Sequence, residues 1–68
     1  MFHKYYTNQD KKSIVSVRFG NSGWYRAFTT DFDFHQKHIT ALAWQRTKVV
    51  AQRDLDALAE TDNLVKAP

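Results

Sequence analysis

The stretch Ser13 to Thr29, Ser-Ile-Val-Ser-Val-Arg-Phe-Gly-Asn-Ser-Gly-Trp-Tyr-Arg-Ala-Phe-Thr, reads as two β-strands folded about a tight turn, and it limits what the rest of the chain can do. Gly20-Asn21-Ser22-Gly23 is the turn, because Gly and Asn tolerate the positive φ of short hairpin loops. With Asn21 and Ser22 as a two-residue loop, Phe19 pairs with Trp24, Val17 with Arg26 and Val15 with Phe28. Side chains directly opposite share a face. This register predicts a core face of Val15, Val17, Phe19, Trp24, Arg26 and Phe28, and an outer face of Ile14, Ser16, Arg18, Tyr25, Ala27 and Thr29. Arg26 then lays its aliphatic stem along the core edge with its head in water. A one-residue bulge after Gly20 would exchange the two faces of one strand.

Ahead of the hairpin, Phe2 to Thr7 has the aromatic and β-branched character of a first strand, and Asn8 to Lys12 is a polar connection of hairpin length. Pairing Thr7 with Ser13 sets Lys4 opposite Ser16 and Tyr6 opposite Ile14. A frayed terminus is the alternative for the first six residues.

Behind the hairpin, Asp33 is an N-cap candidate with Gln36 to complete a capping box, and no Gly or Pro interrupts Phe34 to Glu60. One apolar stripe, Ile39, Leu42, Ala43, Arg46 and Val50, is expected to cover the core face of the sheet; an offset one runs Trp44, Ala51, Leu55, Leu58. A helix over all of this would be about 40 Å long, against about 23 Å for a seven-residue strand. Its last turns must overhang, fold back after a break near Arg53-Asp54, or pair with a second copy. Thr47 to Gln52 also supports a strand reading, since Val49-Val50 is β-branched. The expected fold is α+β, a three-stranded (or two-stranded) antiparallel sheet packed against one long C-terminal α-helix. Residues 1–62 form the domain and 63–68 a loose tail.

With 68 residues and no cysteine, the core must rest on packing, and ten aromatic residues supply the material. No apolar run approaches the roughly 20 residues of a membrane span, and the N-terminus lacks a signal-peptide hydrophobic region, so a cytoplasmic protein without membrane contact is expected. Residues 1–53 carry nine Lys/Arg against three acids, a net of +6, while residues 54–68 carry one against four, a net of −3. A basic body of this kind points to a polyanion.

Catalytic signals are thin. His35 and His38 have the i, i+3 spacing of metal-ligand pairs, but no third ligand is at hand, and both read as helix-surface residues. Gly20 and Gly23 are the only glycines and belong to the turn, so there is no phosphate loop. Ser13, Ser16 and Ser22 lack a nucleophile setting, and Asp54 and Asp56 read as a solvated pair. No enzyme activity, metal or cofactor is expected. Binding remains, and the outer face offers Lys4, Tyr6, Ser16, Arg18, Tyr25 and Thr29 as nucleic-acid contacts.

The stretch Ile14-Val-Ser-Val-Arg-Phe-Gly-Asn-Ser-Gly-Trp-Tyr-Arg-Ala-Phe-Thr29 followed by Ala41-Leu-Ala-Trp-Gln-Arg46 resembles the ethylene-response-factor type DNA-binding domain and the arm-binding domains of tyrosine integrases. The resemblance covers roughly Ser13 to Lys48. By position, Arg18 matches a basic residue of the family's second strand, Phe28 the aromatic closing the third, and Ala41-Leu42-Ala43 the small residues facing the sheet. It implies a three-stranded sheet on one helix whose open face enters the major groove of duplex DNA. A second reading is a small protein-binding inhibitor or regulator of the type mobile elements encode. It would act through the helix surface, with Trp44, Leu55 and Leu58 as anchors or as the seam of a homodimer through the C-terminal half of the helix.

Overall fold

Alternation in Ile14–Phe19 builds β2, and both neighbours pair with it antiparallel: β1, Lys4–Tyr6, on one side and β3, Tyr25–Thr29, on the other. The computed structural model describes residues 2–20 and 22–68, so the turn assignment of Asn21 lies outside the described residues. The β1–β2 register matches expectation: Tyr6 faces Ile14, Tyr5 faces Val15, and the Thr7 amide donates to the Ser13 carbonyl at 3.0 Å.

The β2–β3 register differs by one residue. Phe19 pairs with Tyr25, Arg18 with Arg26, Val17 with Ala27, Ser16 with Phe28 and Val15 with Thr29. Gly20 donates its amide to the Trp24 carbonyl at 2.7 Å, and Gly23 has φ 84°. The loop therefore holds three residues rather than two, with Gly23 in the left-handed conformation that ends a bulged hairpin. One added loop residue turns β3 over. Ala27 and Thr29 face the core with Val15 and Val17, while Arg26 and Phe28, expected inside, join the open face.

Asp31, not Asp33, caps α1, Phe32–His38, its Oδ1 accepting from the Phe34 amide at 3.1 Å. Its Oδ2 also accepts from the Thr7 hydroxyl at 2.9 Å, which ties the β1–β2 connection to the helix. This start turns Phe34 inward. The expected run to Glu60 is broken: after a 3-10 turn, Ile39–Ala41, the chain extends, and Gln45 exchanges two backbone hydrogen bonds with Tyr25 at 2.6 and 2.8 Å. Thr47 caps a second helix, α2, Lys48–Thr61, accepting from the Val50 amide, so Thr47 to Gln52 does not form a strand. An unbroken helix of about 40 Å would exceed the molecule's longest extent of 32 Å.

The sheet is covered by α2 through Ala51, Leu55 and Ala59, at i, i+4 and i+8, with Phe34 and Ile39 closing one end of the core. The architecture is α+β, an antiparallel sheet under a longer C-terminal helix, as expected. Residues 63–68 are not a loose tail. Asn63 takes φ 55°, Leu64 donates to the Ala59 carbonyl at 2.8 Å to end α2, and β4, Lys66–Ala67, pairs with β1 as a fourth strand. No helix among the described residues is long and apolar enough to cross a membrane.

A polar group sits at the core edge. Tyr5, 5% exposed, donates to Asp56 Oδ1 at 2.6 Å, and the same oxygen accepts from Gln52 Nε2 at 2.8 Å. Burial pushes the Tyr5 phenol up to about 12, with the Asp56 hydrogen bond and charge adding to the rise. An unfolded tyrosine loses its proton near 10, so the contribution is intact below that pH and fades as pH climbs towards 12. Stability should therefore decline across that window. Tyr5→Phe should flatten this alkaline decline in urea midpoints measured between pH 8 and 12, at a cost of about 1 kcal/mol near neutrality. An unchanged slope would contradict the arrangement.

Candidate nucleic-acid interface

Strand pleating sets which side chains leave the core. On the sheet face away from α2, β1 presents Lys4 and Tyr6, β2 presents Ile14, Ser16 and Arg18, and β3 presents Arg26 and Phe28. The extended segment along the β3 edge adds to it. Gln45 points to the helix layer, where its Nε2 donates to Asp54 Oδ2 at 2.8 Å, so its neighbours Trp44 and Arg46 turn the other way.

Arg18 and Arg26 are directly opposite, an unfavourable pairing of like charges. Each is held by a ring instead of a carboxylate. The Arg18 guanidinium carbon lies 5.1 Å from the Phe28 ring centroid, that of Arg26 4.1 Å from Trp44, and that of Arg46 4.0 Å from Trp24. Such contacts are worth about 0.5–1 kcal/mol at exposed positions. Trp44 reaches its place because Gly20 has no side chain: a Cβ there would stand 2.7 Å from Trp44 Cζ3. Behind these groups His35 meets Phe28 edge to face, and a cleft of about 220 Å³ opens between Arg18, Arg26, Phe28, His35 and Trp44.

The acids are elsewhere. Asp31 caps α1, Asp54 accepts from Gln45, Asp56 from Tyr5 and Gln52, and Asp62 pairs with His38 at 3.1 Å. That last contact is the one approach of a basic side chain to a carboxylate within 4.0 Å among the described residues, and it is an ion pair only when His38 carries a proton. His35 and His38 thus have different partners, Phe28 for one, Phe34 and Asp62 for the other, and among the described residues no three metal-ligating side chains converge.

Of the residues expected on this face, Lys4, Tyr6, Ser16 and Arg18 are there, while Tyr25 and Thr29 are not. Thr29 is buried and accepts from the Asp31 amide through its hydroxyl, and Tyr25 packs against the core and the Phe19 ring. The helix-surface group also separates. Leu55 is fully buried and Leu58 half-buried on the sheet, whereas Trp44 belongs to the sheet-face cleft. The expected dimer seam on α2 therefore lacks its apolar residues. Arg26, Phe28, Trp24 and Arg46 were missed as site residues. The signal for the first two was Gly23, whose freedom permits a three-residue loop, and for the others the alternation Trp44-Gln45-Arg46.

Compared with protein-family models, with curated proteins and with solved structures, the chain has no match.

Proposed function

We propose that the chain is a non-enzymatic module that binds nucleic acid on the open face of its sheet. The observation that carries this reading is the set of three arginines, Arg18, Arg26 and Arg46, stacked on rings with no carboxylate beside them. A guanidinium seated on a ring keeps its N–H edges for acceptors such as phosphate oxygens or guanine edges. Lys4 and Ser16 lie on the same face and suit backbone contacts. The charge layout and the resemblance to sheet-face DNA-binding domains support the same reading, with the ligand grip moved toward the hairpin end.

Affinity for random-sequence oligonucleotides should fall roughly ten- to a hundred-fold between about 50 and about 200 mM salt. Arg18→Ala and Arg26→Ala should each reduce the slope of log affinity against log salt by about 1. Arg53→Ala, exposed on α2 in the opposite layer, should leave both unchanged. Absence of binding at the lower salt, or equal effects of all three substitutions, would overturn the proposal.

A further inference from the structure

A paired and an unpaired strand ask different things of such a face. A duplex offers phosphates and the edges of its bases; only an unpaired strand offers base planes. Resting on the nucleic-acid reading above, we infer that the preferred ligand is an unpaired strand. One of its bases enters the cleft beside Trp44 and Phe28, while Arg18 and Arg26 hold the adjoining phosphates.

Ring exposure is the first ground. Trp44 is 45%, Phe28 41% and Phe19 63% exposed, and all three line one cleft of about 220 Å³. Large apolar groups gathered at one exposed spot mark an interaction surface. Against a duplex groove these rings would meet polar edges, whereas a base plane covers them. The second ground is charge. Two guanidiniums and no carboxylate line this cleft, so a phosphate next to the stacked base meets attraction from Arg18 and Arg26 and no local repulsion.

Pre-organisation is the third ground. Gly20 lets Trp44 lie against the backbone at the strand end, which sets the position of its ring before any ligand arrives.

The test compares three fluorescent ligands of about 12 nucleotides at about 50 mM salt: oligothymidylate, the same strand paired with oligoadenylate, and an abasic strand of equal charge. The unpaired strand should bind at least about ten-fold more tightly than either of the others. Trp44→Ala should lower its affinity toward that of the abasic strand, and Trp44→Phe should restore most of it. Equal or tighter binding of the duplex, or equal binding of the abasic strand, would overturn this inference and leave the nucleic-acid reading standing. Failure of all three to bind would remove both. The abasic comparison uses the unaltered protein and does not depend on how any variant folds.

Discussion

Leu55→Ala is expected to remove about 2–5 kcal/mol of folding stability, the largest loss of any single substitution considered. Leu55 is fully buried at the centre of the α2 stripe, and the small residues Ala51 and Ala59 on either side let the helix approach the sheet. Truncating a buried leucine costs about 2–5 kcal/mol, while a domain of this length has only about 3–10 kcal/mol in total. Circular dichroism with urea titration should show a loss of about 2–5 kcal/mol, against about 1 kcal/mol for Leu58→Ala, which is half-buried. The contrast matters because a helix-surface anchor would behave in the opposite sense: Leu55→Ala would then leave stability untouched and abolish a partner contact. A wild-type melting curve for Leu55→Ala would sink the packing described for α2.

Deleting Leu64 to Pro68 is expected to be the second most damaging change. The deletion removes the Leu64 side chain from the core margin, the amide that closes α2 on the Ala59 carbonyl, and the Val65 carbonyl that accepts from the Tyr6 amide at 2.8 Å. It also removes β4 and bares the β1 edge, where Lys4 pairs with Ala67 and Tyr5 with Lys66. Hydrogen bonds of this kind contribute about 0.5–1.5 kcal/mol each, so a total near 2–4 kcal/mol follows. Melting should drop by roughly 10–20 °C. The bared edge should also promote concentration-dependent association, measurable by light scattering. A true tail would change neither quantity.

Much of the fold is legible locally. Alternation in Ile14–Phe19 and the threonine and serine at its entrance set the β1–β2 register, which the Thr7–Ser13 hydrogen bond bears out. The side of α2 that the sheet covers was not legible: helical spacing favoured the stripe Ile39, Leu42, Ala43, Arg46, Val50, whereas Ala51 and Leu55 of the offset stripe meet the sheet, because the break after Ala41 resets the helix phase. Lys4 and Arg18 were placed on the open face because β1 and β2 carry an unambiguous alternation. The β3 assignments failed for a specific reason. Gly20 and Gly23 are compatible with loops of two or three residues, and the difference moves every side chain of β3 to the other face. Arg26 thereby passed from the core edge into the cleft, and Thr29 from the open face into the core.

The break between α1 and α2 was invisible for another reason. Nothing from Phe34 to Glu60 is a helix breaker, and Thr40 even returns its hydroxyl to the Gln36 carbonyl in helical fashion at 2.7 Å. Competition from outside the segment ends the helix: the unpaired β3 edge at Tyr25 gains two hydrogen bonds from Gln45, and Thr47 can cap a new start. Likewise Lys66–Ala67 has no strand pattern of its own and pairs because β1 offers a free edge.

Residue-by-residue chemistry was thus enough for the elements whose partners are near in the chain: the hairpin strands, the polar outer side of β1 and β2, and the helix that follows. Long-range packing chose the face of β3, the point where one helix becomes two and the fate of the last residues. Each of those depends on hydrogen bonds and buried area contributed by segments far away in the chain, and no local pattern encodes them. The arginine and tryptophan cleft belongs to this second group, since Arg26 and Trp44 meet only after the β3 face is chosen and the helix has broken.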